Sequence, residues 1–112
     1  MSATFTKVFE FSASHSRDGK VLGHNYVLSF VFLASEVSVE EGLTEKIEAA
    51  LIQKLHSRDL GAVAFLKHTA MNDLALLRAF WPIALEATRP AQLHSLCLER
   101  DRVTQWTLTP SD

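Results

Sequence analysis

An α+β fold, with a four-stranded antiparallel sheet and two helices on one face, is what the sequence predicts on three observations. Apolar residues alternate with period two near both ends of the chain. They recur every four residues through the middle, and turn-forming dipeptides separate the segments. At 112 residues the chain reads as one domain, residues 1–112, and no repeat, low-complexity tract or linker divides it.

Residues 5–15 alternate as the first strand. Phe5, Phe9, Phe11, Ala13 and His15 share one face, with Val8 and Glu10 on the other. Asp18-Gly19 breaks the run as a turn. In the second strand, residues 24–33, Tyr26, Leu28, Phe30 and Phe32 lie on the His24 face, while Val27, Val31 and Leu33 point the other way. A strand apolar on both sides predicts a helix layer on one face and a second cover on the other. From about Val39 the period lengthens. Leu43, Ile47, Leu51 and Leu55 recur among Glu45, Lys46, Glu48 and Lys54, an amphipathic helix ending near Gly61. A second helix is predicted over residues 71–86, with Leu74, Leu77, Trp81 and Leu85 on its buried stripe. Thr69 is its N-cap, and Pro82 is expected to kink or shorten it. After Arg89-Pro90, residues 93–99 and 103–108 read as strands joined at Asp101-Arg102. The aromatic side chains Phe9, Phe11, Tyr26, Phe30 and Phe32 are expected on an uncovered sheet face. Such a face, with free edges, predicts closure into a ring with other copies.

The bulk composition excludes several functions. With 47% hydrophobic and 21% charged residues the chain has enough apolar mass for a core, which argues against disorder. A net charge of −2 without like-charge runs argues against nucleic acid. No apolar stretch reaches the roughly 18 residues of a membrane helix, so no membrane partner is expected. The opening Met1-Ser2-Ala3-Thr4 has no signal-peptide pattern, and Cys97 is the single cysteine, so no intrachain disulfide is available. Both point to a cytoplasmic setting.

The segments Phe9-Glu10-Phe11-Ser12-Ala13-Ser14-His15 and Gly23-His24-Asn25-Tyr26 together resemble the opening of the 6-pyruvoyl-tetrahydropterin synthases and the related bacterial 6-carboxytetrahydropterin synthases. Leu96-Cys97-Leu98-Glu99, before a turn and a last strand, falls where that family has its C-terminal motif. The element order is that of the family's tunnelling fold, and the resemblance spans essentially the whole chain. It implies homotrimers that pair into homohexamers, closing into a barrel, with sites at subunit interfaces.

The resemblance also implies a zinc site, made by a histidine ending the first strand and a His-x-His opening the second. His15 and His24 stand in the first and last of these positions, and Leu22 stands in the middle. Leucine cannot ligate, so zinc is expected to be held weakly or not at all. The family's general base, a cysteine between these strands, has no counterpart in residues 16–21, and Cys97 reads as core. The supporting Asp-His pair falls on His56-Ser57 when aligned without a gap. A one-residue slip instead keeps His56 as the family's histidine, which makes His56 the one catalytic candidate. Glu99 matches the glutamate that anchors the pterin, whose adjacent ring donors suit two carboxylate oxygens. The next residue, usually threonine in the family, is Arg100. His68, His94, Trp81 and Trp106 read as surface or packing residues.

The expected function is binding of a pterin-like small molecule by a diverged family member whose chemistry is lost or altered. Two alternatives stay open. One is an active zinc-dependent 6-pyruvoyl- or 6-carboxytetrahydropterin synthase, a carbon–oxygen lyase, using substitute residues. The other is a non-catalytic oligomeric scaffold.

Overall fold

A computed structural model describes residues 3–34 and 41–110 of the chain. Strands β1 (Thr4–Arg17) and β2 (Lys20–Leu33) form a long antiparallel hairpin, registered from Thr4↔Leu33 to Arg17↔Lys20. Its turn is Asp18-Gly19, with φ of 52° and 77°, the left-handed pair that a two-residue hairpin needs. Strand β4 (Gln92–Arg100) pairs with β2, and β5 (Thr104–Leu108) pairs with β4, both antiparallel.

The expectation of four antiparallel strands is corrected by a fifth. Strand β3 (Arg58–Asp59) runs parallel to β1 at Ala13 and Ser14, so the sheet order is β3-β1-β2-β4-β5. Two residues carry no readable alternation. They are held by what precedes them, since Ser57 N–H donates to the Ser12 carbonyl at 2.6 Å.

The first helical stretch comprises α1 (Leu43–Ile47), a π-helical turn (Glu48–Ile52) and α2 (Gln53–Leu55). The expected start at Val39 lies outside the described residues. Leu43, Ile47, Leu51 and Leu55 are all fully buried, as their spacing predicts. A four-residue step overshoots a full α-helical turn by about 40°. The wider π turn absorbs part of that drift, which keeps all four on one face. This helix ends at Leu55 rather than near Gly61, with His56 already extended. Two 3₁₀ turns, Leu60–Ala62 and Ala64–Leu66, lead on towards the second helix.

Helix α3 spans Asp73–Ala87. Its N-cap is Asn72, whose side-chain oxygen accepts from Ala75 N–H at 2.9 Å, and not Thr69. Pro82 does not shorten it. The buried face is Leu76, Leu77, Phe80 and Ala84, whereas Leu74, Trp81 and Leu85 are half-buried. The predicted stripe is therefore rotated by about one residue.

The largest correction concerns the aromatic face. Phe9, Phe11, Tyr26, Phe30 and Phe32 are not uncovered but lie beneath the helices, each under 10% exposed. Alternation says which residues share a face without saying which face the helices take. Here they cover the bulkier one, where more apolar area leaves water. Val8, Glu10, Ser12, Asn25, Val27, Val31, Cys97 and Glu99 form the opposite, open face. Cys97 is half-buried there and is not a core residue. No second layer covers this face among the described residues. No helix of the described residues is long and apolar enough to cross a membrane.

Candidate functional site

Cross-strand register builds the open face row by row. Glu10 pairs with Val27, Val27 with Glu99, and Glu99 with Gln105, so two carboxylates flank one valine in a lateral row. Directly paired residues on antiparallel strands stand about 4.5–5.5 Å apart and present the same face. The next row holds Ser12 and Asn25, whose side chains are tied by a 2.8 Å hydrogen bond from Ser12 Oγ to Asn25 Oδ1. A cleft of about 540 Å³ opens over these rows, lined by Glu10, Ser12, Asn25, Val27, His56, Asp101 and Arg102. Glu99 stands beside the cleft as the strand neighbour of Val27 and is not part of its lining.

His56 reaches this cleft by capping the exposed edge of β1. Ser12 N–H donates to His56 Nδ1 at 3.1 Å, so the ring nitrogen takes the place a neighbouring strand's carbonyl would occupy. Because Nδ1 accepts, the neutral ring carries its proton on Nε2 and meets a ligand as a donor. Ser57 follows at φ 60°, completing the bend into β3.

His15 and His24 lie on the other face. Leu22 is the register partner of His15, and His24 is two pairs further in, opposite Ala13. The three expected ligand positions are thus neighbours on one face at the end of the hairpin. The two imidazoles stack, with ring centroids 5.2 Å apart and an interplanar angle of 28°. Stacking apposes ring faces, whereas a metal takes in-plane lone pairs. Among the described residues no group of three His, Cys, Asp or Glu side chains is placed to hold a metal ion. The side chains present do not fit a zinc site with three protein ligands, since Leu22 has no atom that can ligate. Glu99 and the histidines occupy opposite faces of the sheet, so one chain does not bring them into a single site.

Asp101 is the residue that sequence reasoning missed. It sits in the β4–β5 turn at φ 52°, with Arg102 at 61°. Its Oδ2 lies 2.6 Å from His24 Nδ1, and its Oδ1 accepts Asn25 N–H at 2.8 Å. Its own N–H donates to the Asn25 carbonyl at 2.7 Å, so the turn is stitched to β2 by three contacts. The Asn25 N–H bond, then the His24 contact, hold the Asp101 carboxyl below its ordinary range despite some desolvation. A lowered carboxyl stabilises the fold above its ordinary pKa near 3.8, and that contribution fades as the pH falls through the folded-state value.

Arg100 faces the helices and not the Glu99 side. Its Nε donates to both carboxylate oxygens of Asp73 at 3.1 and 3.0 Å, which ties the end of β4 to the start of α3. The arginine next to the expected anchor glutamate thus has a structural use on the other face. A second cleft of about 360 Å³ lies over the hairpin, lined by Ser14, Gly23, His24, Ser57 and Arg58, and it shares Ser12 and Asn25 with the first. No protein-family model matches the chain, and no curated protein matches it either.

Proposed function

We propose that the chain is a diverged 6-pyruvoyl-tetrahydropterin synthase-like protein. In this reading it binds a pterin-like ligand on the open face of its sheet, with the parental reaction lost or altered. The observation that carries the reading is the Glu10–Val27–Glu99–Gln105 row beside a cleft walled by His56. At about 540 Å³ the cleft is within the roughly 300–1,000 Å³ range of small-molecule sites. A flat heterocycle laid on the floor would meet carboxylate acceptors on the Glu99 side and the Nε2–H donor of His56 on the other. The ring edge of a pterin offers paired donors that suit a carboxylate. With no cysteine in residues 16–21 and Leu22 in a ligand position, the parental lyase chemistry lacks its base and part of its metal site.

Assembly is part of the same proposal. β1 from Thr4 to about Phe11 and the outer side of β5 are free edges among the described residues, and Val8 on the open face is 59% exposed. Free edges and an uncovered face favour pairing with other copies, and a trimer or hexamer is the expected state. Light scattering at micromolar concentration reads it directly, and a clean monomer would remove the assembly from the account.

The ligand reading is tested by thermal shift with neopterin and a carboxypterin, alongside a turnover assay with dihydroneopterin triphosphate. Ligand at about 100 times its Kd stabilises by about 2.7 kcal/mol, which appears as a rise of several degrees. Stabilisation without turnover is the expected result. Turnover would replace this reading with the active-synthase alternative, and no response to any pterin would replace it with the scaffold.

A further inference from the structure

The Asp101 contacts have a chemical consequence that does not depend on what the open face binds. We propose that Asp101 is a positioning residue whose carboxylate fixes His24 as the Nδ1–H tautomer. His24 then keeps its Nε2 lone pair as an acceptor for a hydroxyl or N–H donor on the face it shares with His15. Two contacts set the geometry. Oδ1 is committed to Asn25 N–H at 2.8 Å, and Oδ2 meets His24 Nδ1 at 2.6 Å. An ionised carboxylate has only acceptors, so the shared proton must come from the ring. The neutral imidazole then carries hydrogen on Nδ1 and a lone pair on Nε2, the reverse of the tautomer free histidine prefers in water. His24 packs against His15 and edge-on to Tyr26, at centroid distances of 5.2 and 5.9 Å, and these rings limit its rotation. A carboxylate that orients an imidazole in this way is the arrangement through which enzymes keep Nε2 ready to accept a proton.

The two imidazoles therefore offer opposite hydrogen-bonding characters. His56 is a donor through Nε2–H because Ser12 N–H occupies its Nδ1, whereas His24 is an acceptor through Nε2 because Asp101 occupies its Nδ1. A ligand hydroxyl that reaches the His24 ring would donate to it.

Asp101→Asn tests this without removing the turn, because asparagine tolerates the left-handed φ of 52°. Asn25 N–H still needs an acceptor, so the amide oxygen must take the Oδ1 place. The amide NH₂ then faces His24 Nδ1 and donates to it, which moves the ring proton to Nε2. The measurement is long-range ¹⁵N–¹H NMR of the His24 imidazole at neutral pH in both proteins. The expected result is Nδ1–H in the unmodified protein and Nε2–H in the variant, with the same far-UV circular dichroism. An Nε2–H ring in the unmodified protein, or the same tautomer in both, would overturn the proposal. The unmodified protein decides the question by itself if the variant does not fold.

Discussion

Phe80→Ala is expected to destabilise the protein by about 3–5 kcal/mol, the range for emptying an aromatic site in a packed core. Phe80 is fully buried on α3. It meets Phe11 edge-on at 6.4 Å and Phe65 edge-on at 6.2 Å, so one ring joins the helix, the first strand and the 3₁₀ segment. Each of these neighbours would face a void that the others cannot fill without leaving their own contacts. Against a total of about 5–15 kcal/mol for a domain of this kind, the loss is large enough to leave part of the population unfolded. Trp81→Ala, one position along, serves as the contrast. Trp81 is only half-buried, so its removal should cost clearly less despite the larger side chain. Urea melts of the two variants decide between the observed helix face and the one rotated onto Trp81. Equal losses, or a larger loss at Trp81, would mean that α3 is seated differently.

The second large effect is alkaline. Tyr26 is the only tyrosine in the chain, and burial, with the Asp73 carboxylate nearby, pushes its phenol up to about 12. A phenol whose folded pKa lies above its unfolded value of about 10 contributes stability in full below pH 10. That stability is lost as the pH rises from 10 towards 12. Two pKa units correspond to about 3 kcal/mol of differential stability. Tyrosinate absorbance after a rapid pH jump to 11 should therefore appear slowly, with unfolding, while the denatured chain should ionise at once near pH 10. Tyr26→Phe keeps the stack on Phe11 at 5.0 Å and should flatten this alkaline decline. Prompt ionisation near pH 10 in the folded protein would show that the phenol is reached by water.

Much of this architecture was legible in the sequence, and the reasons differ by element. The Leu43–Leu55 repeat was readable because every fourth residue is large and apolar with charges between, and all four are buried. The stripe on α3 was not, because Leu76, Phe80 and Ala84 compete with Leu77, Trp81 and Leu85 at the same spacing. A helix apolar around most of its girth does not announce its inner side. β1 and β2 were read with the correct alternation but with the helices set on the wrong face, since both faces of β2 carry apolar residues. β3 escaped because Arg58 and Asp59 have no pattern of their own and depend on the bend at His56 and Ser57. Among site residues, Asp101 was visible only as a turn, because its partner His24 is 77 positions away and no local spacing links them. Glu99 and His56, both legible from sequence motifs, border one face, while His15 and His24 sit across the sheet from them.

The central claim is that the open face holds a pterin-like ligand against the Glu99 carboxylate, and calorimetric titration with neopterin tests it most directly. Glu99→Gln keeps the side-chain shape but loses the charge and one acceptor. Each charge-assisted bond to the ligand contributes roughly 1.5–3 kcal/mol. The unmodified protein should bind, and the variant should bind at least about 10-fold more weakly, about 1.4 kcal/mol, with an unchanged melting temperature in the absence of ligand. Equal affinities would place the ligand away from Glu99, and no heat from either protein would contradict the claim outright.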